Sequence, residues 1–490
     1  MNARWLIQAS LVAVAGVAAA GAADHGPSLL EAARAADGKA VRALVGLKAN
    51  VNAAEGDGTT ALHLAVHHDD AAMVELLLQA GARPMAANRY GVTPLSLAAT
   101  NANAAITERL LQAGGDANAT LPGGETVLMT AARSGDVATV KVLLAHGADV
   151  HAKESWKGQT ALMWAAADNH GEVVRLLLEA GAHLNDRSNG GVFTPYLFAV
   201  RGGHIDATRV LLDAGADVNE TLPDGTSALA LAVMNAHYEL AAFLLDEGAD
   251  PTADAQGWTA LHQIAWTRRP NYGYNLPGPV VTGRMDALDL VKKLVAYGAD
   301  VNARETKEPR DGNRNQLNRI GATPFLLAAK AVDLPLMRAL LAAGADPRLA
   351  NADGTTALMV AAGVGIWAPG ESPGTEEEAI AAVKLLLEIG AGAVTDIDKN
   401  GYTAAHGAVH RGGSVPILRL LVERGARLDV RNSKGWTPLT IAEGVEYTPD
   451  IFKRYPETAE VLRGMMREQG LSVPEPNQNA AVGSSRKRLE

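Results

Sequence analysis

Thirteen histidines, 54 carboxylates and no cysteine set the chemistry open to this chain of 490 residues. His67, His68, Asp69 and Asp70 form its densest run of metal-type ligands. Adjacent residues on a short turn rarely converge on one ion, so no metal is expected there. Without cysteine there is no disulfide, no thiolate metal site, no thiol nucleophile and no lipidated cysteine. His63, His262 and His406 each follow a threonine by three residues, in a place that repeats rather than converges. Asp149, Asp217, Asp250 and Asp300 recur in Gly-Ala-Asp turns and read as turn formers. There is no phosphate-binding P-loop and no H-E-x-x-H. Gly363-Val364-Gly365 does not continue to a third glycine. The expectation is no catalytic residue, no cofactor, and a chain that is not an enzyme.

Recognition is the better reading of the side chains present. Aromatic residues are only 4% of the chain, so their placement carries information. Tyr272, Tyr274, Trp367, Tyr447, Phe452 and Tyr455 fall in three stretches bearing Pro or Gly, with Trp266 at the root of the first. Arg268, Arg269, Lys453 and Arg454 lie among them. Aromatic and arginine side chains are favoured at binding hot spots. Two roles follow: contact with a partner or ligand, or rings burying against each other and stapling the loops down.

The elements that would hold these residues are short. Residues 158–182 show the unit: Thr160-Ala161-Leu162 opens a helix, Asn169-His170-Gly171 turns the chain, and Val174 to Leu178 lie on a second helix ended by Gly181. Neither helix reaches the ~12–15 residues at which isolated helices become stable in water. The same start recurs at Thr60, Thr93, Thr126, Thr160, Thr194, Ser227 and Thr259, in steps of 33, 33, 34, 34, 33 and 32 residues. It returns at Thr323, Thr356, Thr403 and Thr437. Each unit must bury its faces against copies of itself, which is a solenoid.

Thr60-Ala61-Leu62-His63, Thr93-Pro94-Leu95 and Thr437-Pro438-Leu439, with the repeat ends Gly147-Ala148-Asp149-Val150 and Gly215-Ala216-Asp217-Val218-Asn219, carry a family pattern. The chain resembles the ankyrin-repeat family from about Pro27 to Gly470. The resemblance implies an all-α solenoid of about twelve helix-turn-helix repeats with short β-turn fingers. It implies a non-catalytic scaffold that binds a protein through its concave surface of fingers and first helices. In such repeats the histidine after the threonine is structural, and the residues flanking the finger glycine contact partners. Here those places hold Tyr90, Trp156, Lys157, Phe193, Trp258, Tyr402 and Trp436, with Trp164, Phe198 and Gln263 on first helices. An aromatic at such a place also packs on the next finger, so both roles stand.

The pattern departs from the family after Thr259. Insertions are read at 268–283, 305–319, 363–378 and 444–457, so that 24–267 is the regular array with its N-terminal cap and 268–470 the inserted array with its C-terminal cap. Three of them fall between the two helices of repeats eight, ten and twelve. They are expected to form one layer on the edge opposite the fingers, where a pocket for a small molecule or glycan is the alternative function. Residues 1–23 read as a signal peptide, with Arg4, an apolar run from Leu6 to Ala20 and small residues at Ala20-Gly21-Ala22. Residues 471–490 read as a disordered tail. The expected protein is exported, periplasmic or secreted, of bacterial type, monomeric, and without a membrane span once the leader is removed. Its net charge of −10 argues against general nucleic-acid binding.

Overall fold

The computed structural model describes residues 27–269, 278–308, 316–366, 374–448 and 451–475, without the side chains of 446–452. The leader at 1–23, Tyr272, Tyr274, Trp367 and most of the tail lie outside those residues, as do the side chains of Tyr447 and Phe452.

Among the described residues there are 24 α-helices, arranged as helix pairs. They fall into two compact units that divide at Asp217 and Val218. The first unit holds six pairs, from Leu29–Arg34 with Gly38–Gly46 to Pro195–Gly202 with Ile205–Asp213. The second holds six more, from Ala228–Met234 with Tyr238–Asp246 to Pro438–Glu443 with Pro456–Glu468. Within each unit, first helices stack on first helices and second helices on second helices. A two-stranded antiparallel ribbon, Val445–Thr448 with Ile451–Lys453, occupies the insertion of repeat twelve.

Local chemistry explains each start and stop. The threonine before a first helix accepts a backbone N–H three residues on, as Thr126 does from Met129 at 3.2 Å and Thr160 from Met163 at 3.3 Å. Pro94, Pro195, Pro324 and Pro438 stand just inside the helix, where a missing N–H costs nothing. Second helices are capped by turn residues, Asp70 from Met73 at 2.9 Å and Asp136 from Thr139 at 2.9 Å. The alanines and leucines between these caps are almost wholly buried, Leu62, Leu128, Leu162, Leu326 and Leu358 among them.

Polar bonds then lock one repeat to the next. The Thr60 amide donates to Nδ1 of His63 at 3.2 Å, so Nε2 carries the proton and reaches the Val92 carbonyl at 3.0 Å. His262 does the same to Ala322 and His406 to Trp436. Burial pushes both of these imidazoles down to about 4, so they are neutral at pH 7. Asn52 donates to the Gly81 carbonyl and accepts the Arg83 amide, and Asn118 repeats this with Gly147 and Asp149.

Candidate interaction surface

The fingers are joined to one another by backbone bonds. In the first unit, Arg89 donates to the Asp57 carbonyl, Ser155 to Gly123 and Asn189 to Lys157, each at 2.7 Å. The finger of repeat five is also held from within. Glu154 is buried, and its carboxylate accepts the amides of Trp156, Lys157 and Gln159 at 2.7 to 2.9 Å. The backbone under Trp156 is thus fixed while the ring itself is 83% exposed. Tyr90 at the finger of repeat three is 41% exposed.

First-helix side chains meet these fingers. Trp164 donates to Oε1 of Gln159 at 3.1 Å, and the Arg133 guanidinium lies 4.6 Å from the Trp164 ring. Arg133 also reaches Glu125 of its own finger at 3.3 Å. Phe193 and Phe198 stack at 5.2 Å, with Arg201 at 5.3 Å from Phe193. Arg89 sits over Tyr90 and Lys157 over Trp156. Aromatic faces and cations therefore alternate along the finger face of repeats three to six.

In the second unit the finger aromatics are more enclosed. Trp258, Tyr402 and Trp436 are half-buried. Tyr402 lies 5.7 Å from the rings of His406 and His410, and burial raises its phenol. Lys434 covers Trp436 at 4.7 Å. Between the fingers of repeats nine to eleven is a narrow cleft lined by Asn318, Asp353, Asp398, Tyr402, Val364 and Ile366, with room for about 40 Å³. Asp398 accepts the Asn400 and Tyr402 amides and the Thr355 hydroxyl, and burial pushes its carboxyl up.

Two expectations about the insertions need correction. Trp266, grouped with the edge, faces the long finger instead: Arg319 stacks on its ring at 4.5 Å and pairs with buried Glu305. Trp266 follows Thr259 by seven residues, the same register as Arg133 and Arg201, and that register points to the fingers. The described start of the insertion of repeat ten does not lie on the opposite edge either. The first helix there has six residues, and Gly363 turns the chain back at φ 129°. Val364 to Ile366 then lie beside the fingers, with Gln316 donating to the Gly365 carbonyl at 3.4 Å.

The described residues at the roots of the insertions tie neighbouring repeats together. Arg268 grips Asp333, with Nε to Oδ2 at 2.7 Å and Nη2 to Oδ1 at 3.2 Å. Arg269 grips Glu378 at 2.6 and 2.9 Å and bonds the Val332 carbonyl at 3.4 Å. These pairs tie repeat eight to repeats nine and ten. Glu376 accepts from Ser414 at 2.6 Å, and the Tyr455 ring lies against Gly413. Burial pushes the Tyr455 phenol up to about 12. Arg454 is exposed and bonds the Glu443 carbonyl at 2.9 Å. Among the described residues no group of three or more His, Cys, Asp or Glu side chains is placed to hold a metal.

Comparison with known families decides what these stacked pairs are. The model described as ankyrin repeats in three copies matches residues 29–120, 96–188, 193–273 and 375–451, and the single ankyrin-repeat model matches 256–306. The chain belongs to the ankyrin-repeat family. Ankyrin repeats are typically protein–protein interaction scaffolds and are generally non-catalytic. This ankyrin-repeat chain is 33% identical over 255 residues to the human protein "Ankyrin repeat and SOCS box protein 16", across 46% of its own length and 49% of that protein. It is 43% identical over 58 residues to "Ankyrin repeat-containing protein P1E11.10" of Schizosaccharomyces pombe, 12% of this chain and 28% of the other. It is 31% identical over 170 residues to "Protein lin-12" of Caenorhabditis elegans, 33% of this chain and 10% of that one. The chain thus spans half or less of the length of these curated relatives.

The ankyrin framework also explains what the residue-by-residue reading missed. Arg133 and Arg201 both follow the helix-start threonine by seven residues, at Thr126 and Thr194. That column of the repeat faces the fingers, and a reading limited to aromatic residues passes over its cations.

Proposed function

We propose that this ankyrin-repeat protein is an exported, non-catalytic scaffold that binds a protein partner through its fingers and first helices. The observation that carries the reading is Trp156. A tryptophan 83% exposed on a finger whose backbone is fixed by a buried carboxylate is a preformed anchor. Little order remains to be imposed on such a finger when a partner arrives. Tyr90, two fingers away and 41% exposed, sits on a finger held by Asn88, which accepts the Tyr90 and Val92 amides. Export rests on the composition of residues 1–23 alone.

A small-molecule or glycan site at the insertions has less behind it. Arg268 and Arg269 are committed to ion pairs. The cleft beside Tyr402 holds about 40 Å³, against the ~300 Å³ or more of ordinary ligand pockets.

The test is affinity capture of the full chain from its own cells with crosslinking and mass spectrometry. A partner crosslinked beside Trp156 or Tyr90, and lost on Trp156→Ala with unchanged melting, supports the reading. Crosslinks confined to second helices, or binding indifferent to Trp156→Ala and Tyr90→Ala together, contradict it. N-terminal sequencing of the protein from the same cells tests export: a start near Ala23 supports it, and an intact Met1 overturns it.

A further inference from the structure

We propose that the finger face of repeats three to six takes an acidic, extended polypeptide segment of the partner. The proposal rests on the scaffold reading above and adds the chemistry of what is bound.

The charge on this face runs against that of the chain. The whole protein carries −10. The second helices of the first unit expose carboxylates such as Glu179, Asp206 and Asp213. The finger face carries Arg89, Arg133, Lys157 and Arg201, each set 4.6 to 5.5 Å from an aromatic ring. The carboxylates on the same face are turned to internal work. Glu125 accepts from Arg133 and from the Thr130 hydroxyl, Glu154 caps its own finger, and Asp186 pairs with Lys153 at 2.9 Å. Counted with these ion pairs, Arg133 with Glu125 and Lys153 with Asp186, the finger face still holds more cations than carboxylates on an acidic protein.

The way the cations are held also matters. A guanidinium stacked on a ring is ordered in advance, and its N–H donors lie in its own plane, the geometry in which a carboxylate binds through two oxygens. Rings between the cations offer apolar contact, so the ligand should alternate acid with apolar side chains. Successive first helices lie about 10 Å apart, and an extended chain advances about 3.3 Å per residue. One acidic residue in roughly every three therefore meets one cation per repeat. A uniformly charged polymer such as nucleic acid fits less well, because the rings beside the cations would then face charge.

The experiment selects peptides from a random 16-residue display library on the full chain. The expected winners carry Asp or Glu at about every third position between apolar residues. Their affinity should fall at least about tenfold in the triple variant Arg133→Gln, Lys157→Gln, Arg201→Gln, and again on raising salt from about 50 to about 300 mM. Lys157→Glu guards against misfolding of the triple variant, since that side chain is exposed at a finger tip. It should weaken the acidic peptides about threefold or more with unchanged melting. Neutral or basic winners, or affinities indifferent to these substitutions, overturn the proposal. If such winners still crosslink to the fingers, the scaffold reading stands without it, whereas crosslinks only to second helices remove both. Tighter binding of a 20-nucleotide oligothymidylate or of heparin than of any selected peptide, lost in the same variants, also overturns it in favour of a polyanion.

Discussion

Replacing Arg268 by methionine should loosen repeat nine without touching the finger face. Asp333 is completely buried and has two tasks: it accepts both nitrogens of Arg268, and it caps the helix Leu334–Ala342 through the Leu336 amide at 3.2 Å. Removing the guanidinium leaves a buried carboxylate facing methionine. Breaking a buried pair from one side costs about 3 to 5 kcal/mol. The low end applies here, because Arg268 is 21% exposed and Arg269 stands within 3.9 Å of the same carboxylate. A loss of about 3 kcal/mol is about a hundredfold in an opening equilibrium. A repeat array opens locally, so the assay is hydrogen exchange of the amides of Leu334–Ala342 in the full chain. In Arg268→Met they should exchange about a hundredfold faster. Arg268→Met with Asp333→Asn should recover most of the protection, since asparagine keeps the cap and removes the stranded charge. Arg348→Met, which removes an exposed partner of Asp346, should change nothing. Less than a threefold effect in Arg268→Met, or no recovery in the double variant, would refute the reasoning.

Acid should destabilise the second unit before carboxylates titrate. His262 and His406 are held down to about 4 and His410 to about 3, chiefly by burial, against about 6.5 when unfolded. Their folded pKa values are depressed, so their contribution is complete above pH 6.5 and is lost as pH falls from 6.5 toward 4. Each costs up to about 1.4 kcal/mol per pH unit in that window, and a melting temperature flat from pH 7.5 to 5 would contradict this. Gly363→Ala should lower stability by about 2 kcal/mol or more, because φ is 129° and a Cβ would lie 2.3 Å from the Gly407 carbonyl oxygen; unchanged melting would count against the turn as described. Trp156→Ala should leave melting within about 1 °C while abolishing partner capture.

The repeat period and the capping threonines were readable from the sequence because they are local. Thr126 to Met129 and Asp136 to Thr139 span three residues, and each repeat restates them. The role of His63 was readable from its place in a known pattern, and the bond to Val92 gives it a physical cause. What could not be read depends on contacts far apart in the chain. Arg268 finds Asp333 65 residues away, and Arg269 finds Glu378 at 109. Trp266 was assigned to an edge by its nearness to an insertion, whereas its side chain follows the helix register toward Arg319. The chain just after Gly363 lies beside the fingers through a contact of the same long-range kind, the Gln316 amide on the Gly365 carbonyl.

The most direct test of the central claim is hydroxyl-radical footprinting of the full chain, free and bound to its captured protein partner. The account predicts protection of Tyr90, Trp156, Trp164 and Phe193 in the complex, with Tyr297 at the C-cap of the second helix Ala287–Ala296, 46% exposed, as reactive as before. Unchanged reactivity at the four finger and first-helix rings, with protection at Tyr297 instead, would contradict it.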